Sequence, residues 1–180
     1  MKPVSLHIFA LFCVAFTACG QKDSTKRKEE TTETNKFKTL IPAKPQGWVS
    51  DFEKLFTPGE IRTLDSLISQ HNKDYSNEIA IVTLNLDSTV VRTLDDFKLF
   101  SITLFRAWGV GEKNKNNGVG VLISSNRRMV RIAVGYGLEN KLTDAEAKRI
   151  IDEMMLPNFK TGDYFTGISI SLGAIFKEIQ

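Results

Sequence analysis

The sequence predicts an α/β fold, a three-layer α/β/α sandwich with a small mixed sheet. Three observations carry this. Glu78 to Leu86 is a nearly continuous β-rich apolar run, as expected of a central strand covered on both faces. A helical pattern from Thr93 to Trp108 separates it from the next β-rich run, Val119 to Ser124, which makes a right-handed β-α-β crossover with parallel strands. Ser125-Asn126-Arg127 then turns the chain into Met129 to Val134, an antiparallel hairpin partner.

The helices follow in order. Thr57-Pro58-Gly59-Glu60 opens the first with a capping box, Phe56 can staple onto Ile61, and Ile61, Leu64, Leu67, Ile68 and His71 line one face. Thr93-Leu94-Asp95-Asp96 opens the second, whose inward residues are Phe97, Phe100, Ser101, Leu104 and Trp108, and Gly109 stops it. Thr143-Asp144-Ala145-Glu146 is a further capping box, with Ala147, Ile150, Ile151 and Met154 inward and an end expected before Pro157. Tyr164 to Ile179 forms the last helix through Phe165, Ile168, Leu172, Ile175 and Phe176.

The N-terminus carries a different message. Lys2 precedes an apolar run, Leu6 to Phe16, too short for a comfortable membrane span, and Phe16-Thr17-Ala18-Cys19 places small residues before a cysteine. Residues 1–18 are therefore expected to be a lipoprotein signal peptide and Cys19 the acylated first residue of the mature chain, outside the cytoplasm on an inner or outer bacterial membrane. Cys13 leaves with the signal, so Cys19 has no partner for an internal disulfide, and lipidation is its simplest use. Residues 19–46 are rich in Lys, Glu, Thr, Ser and Asn and are expected to be a disordered tether before a domain at 47–180. A chain starting near Gln46 is then expected to fold as well as the mature one. The cluster Lys26-Arg27-Lys28 is balanced by Glu29, Glu30 and Glu33, and the formal charge of +3 includes Lys2, so nothing argues for a nucleic-acid partner.

The predicted topology collects several loops at one sheet edge: Trp108 to Gly111, Asn116-Asn117-Gly118, Gly135 to Glu139, and the helix start at Thr143. Gly118, Gly135 and Gly137 there would let backbone amides approach a phosphate, beside a helix N-terminus. Glu139 and Asp144, with the carbonyl of Asn117, would equally suit calcium or magnesium better than zinc. The simpler alternative is that the glycines serve turns and the two carboxylates are solvated. His7 leaves with the signal and His71 lies on an apolar helix face, so no histidine triad or histidine metal site can be assembled; there is no dinucleotide fingerprint, and no organic cofactor is expected.

Val49-Ser50-Asp51, Trp108-Gly109-Val110-Gly111, Asn117-Gly118-Val119, Arg131-Ile132, Gly135-Tyr136-Gly137-Leu138-Glu139, Leu142-Thr143-Asp144 and Phe159 to Tyr164, in this order and spacing, resemble the TPM domain family of photosystem-repair, bacterial and receptor-associated proteins. The resemblance covers about Val49 to Ile179. It implies the same sandwich, usually exported and held at a membrane, with the acylated cysteine here taking over an anchoring role that a C-terminal span often fills. It also implies two classes of function, since the family has been linked both to phosphatase activity with divalent metal and to assembly roles. The first expectation is an accessory module that binds a membrane-protein partner. The alternative is a metal-dependent phosphoester hydrolase, with Asp51, Glu139 and Asp144 as metal ligands, Asn117 positioning substrate and Arg131 countering phosphate charge. The accessory role ranks first because no nucleophile or general base is evident. Asp51 reaches the loop edge only if residues 52–56 cross back to it.

Overall fold

The computed structural model describes residues 35–180. The signal segment 1–18, Cys19 and the tether as far as residue 34 lie outside the described residues.

Strand β2 (Glu78–Thr83) is buried at every position but its first, and β3 (Gly118–Ser124) at every position. Such strands must be covered on both faces, and they lie at the centre of a four-stranded sheet of order β1-β2-β3-β4. β2 and β3 pair in parallel from Glu78↔Gly118 to Thr83↔Ile123. β4 (Met129–Val134) returns antiparallel along β3, from Val119↔Val134 to Ser124↔Met129. The fourth strand, β1 (Val49–Asp51), pairs in parallel with the other side of β2. Three residues are too few to show a strand period, so only the resemblance drew notice to them. β2 ends at Thr83 and not at Leu86. Beyond it the chain is held by the Asn126 amide, which accepts from Leu86 N at 3.2 Å and donates to Leu86 O at 3.0 Å.

Alternation along the strands divides the core into two layers. Ile79, Ile81, Val119, Val121 and Ile123 face α1 (Pro58–Tyr75), α3 (Asp144–Ile150) and α5 (Tyr164–Ile179). Ala80, Val82 and Leu122 face α2 (Leu94–Trp108). The expected α/β/α sandwich is therefore present. Both residues of the Thr57/Glu60 box and of the Thr93/Asp96 box bond reciprocally, whereas Thr143 accepts from Glu146 N without the return bond. Leu67, expected inward, is 42% exposed, and Phe105 joins the buried face of α2.

Two further boundaries differ from the sequence expectation. The helix starting at Asp144 does not stop before Pro157: it passes through a π-helical turn at Ile151–Met155 into α4 (Leu156–Phe159). Pro157 lacks an N–H and its ring crowds the carbonyl one turn back, and the widened turn before it relieves that conflict. The domain also begins earlier than 47. Phe37 is fully buried in the α2 layer, edge-on to Phe100 at 5.5 Å between ring centroids. Trp108 Nε1 donates to Pro42 O at 2.9 Å, and Lys36 Nζ lies 2.6 Å from Asp96, holding that carboxyl down at about 2 chiefly through this hydrogen bond. Average composition concealed this attachment because one aromatic ring supplies most of it.

Starting the chain at Gln46 should therefore lower stability, and Phe37→Ala in the full chain should cost about 3–5 kcal/mol in chemical denaturation. A second expectation concerns His71, stacked between Tyr75 (4.8 Å) and Phe176 (4.3 Å) with no partner for Nε2 among the described residues. Burial lowers its pKa below 6.5 against the opposing charge of Asp74. The unfolded chain takes up a proton near that pH which folded His71 refuses until the pH is lower. Stability from this group is thus full above 6.5 and falls as the pH drops towards the folded value. His71→Phe should flatten that part of a plot of Tm against pH.

A cleft between the second helix and the edge strand

α2 covers the sheet over β3, where the Phe105 ring lies directly on Gly120; a Cβ there would come within 2.2 Å of it. On this side of the sheet, β4 is left partly open beside the helix. The result is a cleft of about 800 Å³. One wall is α2, through Lys98, Ile102, Phe105 and Arg106. The floor includes Gly118 and Gly120 of β3 with Arg131 and Ala133 of β4, and the rim carries Lys113, Gly135, Tyr136, Glu139 and Asp144.

Gly118, Gly135, Glu139 and Asp144 of the expected loop edge line one cleft, and Arg131, singled out only with the family resemblance, lines it with them. Asn117 and Gly137 stand behind it, and their roles differ from those expected. The buried Asn117 amide is engaged at both ends, Oδ1 accepting from Glu112 N at 2.8 Å and Nδ2 donating to Ser76 O. Glu78, which the sequence did not single out, ties the same loop down by accepting from Gly111 N at 2.8 Å. Gly135 N donates to Gly118 O at 2.8 Å and Gly137 N to Asn116 O at 3.1 Å. A Cβ at Gly135 would come within 2.2 Å of Asn116 O, and one at Gly118 within 2.3 Å of Val110 O. These glycines let loop backbone meet loop backbone, and the Gly135 and Gly137 amides are not turned to a phosphate.

Asp51 is at the other end of the sheet. It closes β1 beside Thr83, at the C-terminal ends of the parallel strands, whereas the cleft collects the start of β3 and the end of β4. Its carboxylate accepts from Leu55 N (3.0 Å), Phe56 N (2.9 Å) and Thr83 Oγ1 (2.5 Å), fixing the turn into α1. Residues 52–56 do not cross back. The expected metal set of Asp51, Glu139 and Asp144 is therefore not assembled, and among the described residues no three His, Cys, Asp or Glu side chains cluster to hold an ion. The donors do not fit calcium or magnesium: two exposed carboxylates remain, the Asn117 side-chain carbonyl is already bonded, and Asp144 sits in the field of Arg131.

Arg131 is the most distinctive group in the cleft. Burial pushes its guanidinium pKa down, Asp144 opposes that shift, and the two are not within ion-pair distance. Its Nε is buried with no hydrogen-bond partner among the described residues. The α2 wall was missed from sequence, although a glycine inside a continuous buried strand, Gly120, marks a close approach by another element.

Fold and cleft together define a small α/β/α domain with a ligand-sized recess beside an edge strand. The chain belongs to the TPM domain family, whose profile matches residues 49–178. It is similar to the N-terminal domain of a P. gingivalis protein solved by NMR, at 28% identity and a TM-score of 0.63 over 81% of this chain and 86% of that one. The N-terminal domain of the cg2496 protein from Corynebacterium glutamicum shares the fold at 15% identity and a TM-score of 0.53, over 77% of this chain and 84% of that one. No functionally curated protein matches.

If Asp51 and Asn117 hold structure and not ligand, Asp51→Ala and Asn117→Ala should each destabilise the unliganded chain by about 2–3 kcal/mol in urea, since each leaves buried donors or acceptors unpaired. Unchanged midpoints would return both side chains to ligand binding.

Proposed function

We propose that this chain is an extracytoplasmic lipoprotein, held to a bacterial membrane through acyl chains on Cys19, whose TPM domain is an accessory module that binds a membrane-protein partner at the cleft beside β4. One observation carries the choice. Of the groups expected to act on a phosphoester, Asp51 and Asn117 are engaged in holding loops and leave Glu139 and Asp144 without a third ligand among the described residues. The rest of the lining suits recognition: Tyr136, 76% exposed on the rim, apolar Ile102 and Phe105, and Lys98, Arg106, Lys113 and Arg131, in no ion pair among the described residues. Aromatic and arginine side chains around a recess are the usual carriers of binding energy at protein interfaces.

Membrane attachment in this reading rests on Thr17-Ala18-Cys19. Among the described residues no helix is long and apolar enough to cross a membrane. Acylation supplies a strong but separable anchor. The alternative, a metal-dependent phosphatase, keeps Arg131 as a counter-charge to phosphate and would have to recruit Glu139 and Asp144 to a cation.

Three measurements test the proposal. Wild type should incorporate lipid and sediment with membranes, and Cys19→Ser should be unlabelled and soluble; retention of an unlabelled wild type would overturn the anchor. A photo-crosslinking side chain at position 136 should capture one membrane protein when Cys19 is intact, and no capture would count against the accessory role. Calorimetry with calcium or magnesium and turnover of a generic phosphomonoester should show no heat or activity that Glu139→Ala with Asp144→Ala removes. Metal-dependent turnover lost in that double variant would establish the hydrolase instead.

A further inference from the structure

β4 is an edge strand, and its outer side can be read from the hairpin. The bond from Gly135 N to Gly118 O makes 118 and 135 a hydrogen-bonded pair, so residues 133, 131 and 129 turn their peptide groups to β3. Val130, Ile132 and Val134 then direct their N–H and C=O groups away from the sheet, and none of these has a backbone or side-chain partner among the described residues. Polar backbone without a protein partner must be solvated or await one. This is a six-residue strand with an unpaired ladder, of the kind that accepts another strand.

Charge selects what can be added. An added strand would place alternate side chains beside Arg131 and Ala133, on the cleft face. Lys98, Arg106, Lys113 and Arg131 line that face, none of them in an ion pair among the described residues, while Glu112 is paired with Lys115. Glu139 and Asp144 offset only part of the positive charge. Arg127, at the turn entering β4, shares with Arg131 a buried Nε lacking an acceptor. A second copy of β4 would bring these arginines together, and like charges facing each other across strands are destabilising. A carboxylate-bearing strand would instead meet guanidinium donors suited to it.

We propose that β4 takes up an extended, acidic segment of a partner protein by strand addition, with its peptide groups on Val130, Ile132 and Val134 and a carboxylate on Arg131. This deepens the partner-binding reading and rests on it.

The test uses the full-length chain in neutral detergent micelles and a synthetic peptide of about eight alternating Glu and Val residues, the length of an ordinary strand. The peptide should bind, and should slow hydrogen exchange at the amides of Val130, Ile132 and Val134 more than at those of Val121 and Ile123. Its Lys-Val counterpart, and a version N-methylated at alternate amides, should not bind. Arg131→Gln should weaken binding about tenfold, the loss of one charged hydrogen bond, with Arg131→Lys recovering part of it. Equal binding of the Lys-Val or N-methylated peptides would overturn the proposal, as would binding without protection on β4. Arg131-dependent binding to anionic vesicles, with no peptide binding, would assign the arginines to lipid and overturn it as well. Capture of a membrane protein from position 136 together with failure of the Glu-Val peptide would remove strand addition alone and leave the accessory role in place.

Discussion

The seat of Phe105 on Gly120 fixes how closely α2 approaches the sheet, and much else follows from it. Without a Cβ at 120 the ring lies directly on the strand, so α2 settles close over β3 and the neighbouring part of β4. The helix then ends at Gly109, in the left-handed conformation, and the Val110 carbonyl that follows lies against Gly118 at the start of β3. From there the loop to Gly118 has to fold back over the strand ends, where the Asn117 and Glu78 side chains hold it. The cleft is what remains beside β4 once the helix and its following loop have taken those positions.

The same economy explains the division of roles at the loop edge. Glycines in three adjoining segments suggest a cradle for an anion, but a cradle needs free amides, and at Gly135 and Gly137 these already bond to the neighbouring loop. What faces the recess is side chain. Arg131 stands there with a buried donor unused and a carboxylate nearby but out of contact, an arrangement costly in isolation and favourable once an acceptor arrives. The cleft is thus prepared electrostatically by Arg131 of the strand together with Lys98 and Arg106 of a helix far away in sequence, which also supplies a wall.

Much of this architecture was legible in the sequence because it follows from short-range rules. The capping threonines Thr57 and Thr93, the buried run from Glu78 and the turn at Ser125 to Arg127 each act through neighbours within a few residues, and each lies where expected. The misses have another character. Phe37 is one anchor in a polar segment, and its partner Phe100 is known only once the chain is folded. β1 is shorter than any period, and Asp51 looks like a ligand until its three donors, two from the end of the turn and one from β2, are in place. Convergence of the 118, 135, 139 and 144 positions was readable from topology and Arg131 was added by the resemblance; whether their polar groups were free was not readable, since that depends on loop-to-loop contacts that no spacing encodes.

The π-helical turn has a consequence for the face opposite the cleft. The bond from Leu156 N to Ile151 O spans five residues, so this stretch holds one residue more than an α-helix would need. That surplus turns everything downstream by about 100° about the helix axis. Met155 is brought fully into the core and the Phe159 ring against Gly167 of α5, within 2.7 Å of where a Cβ would stand. A helix one residue shorter could satisfy its own backbone and still aim Phe159 away from that seat. The segment from Ile151 to Met155 is accordingly strict as to how many residues it contains.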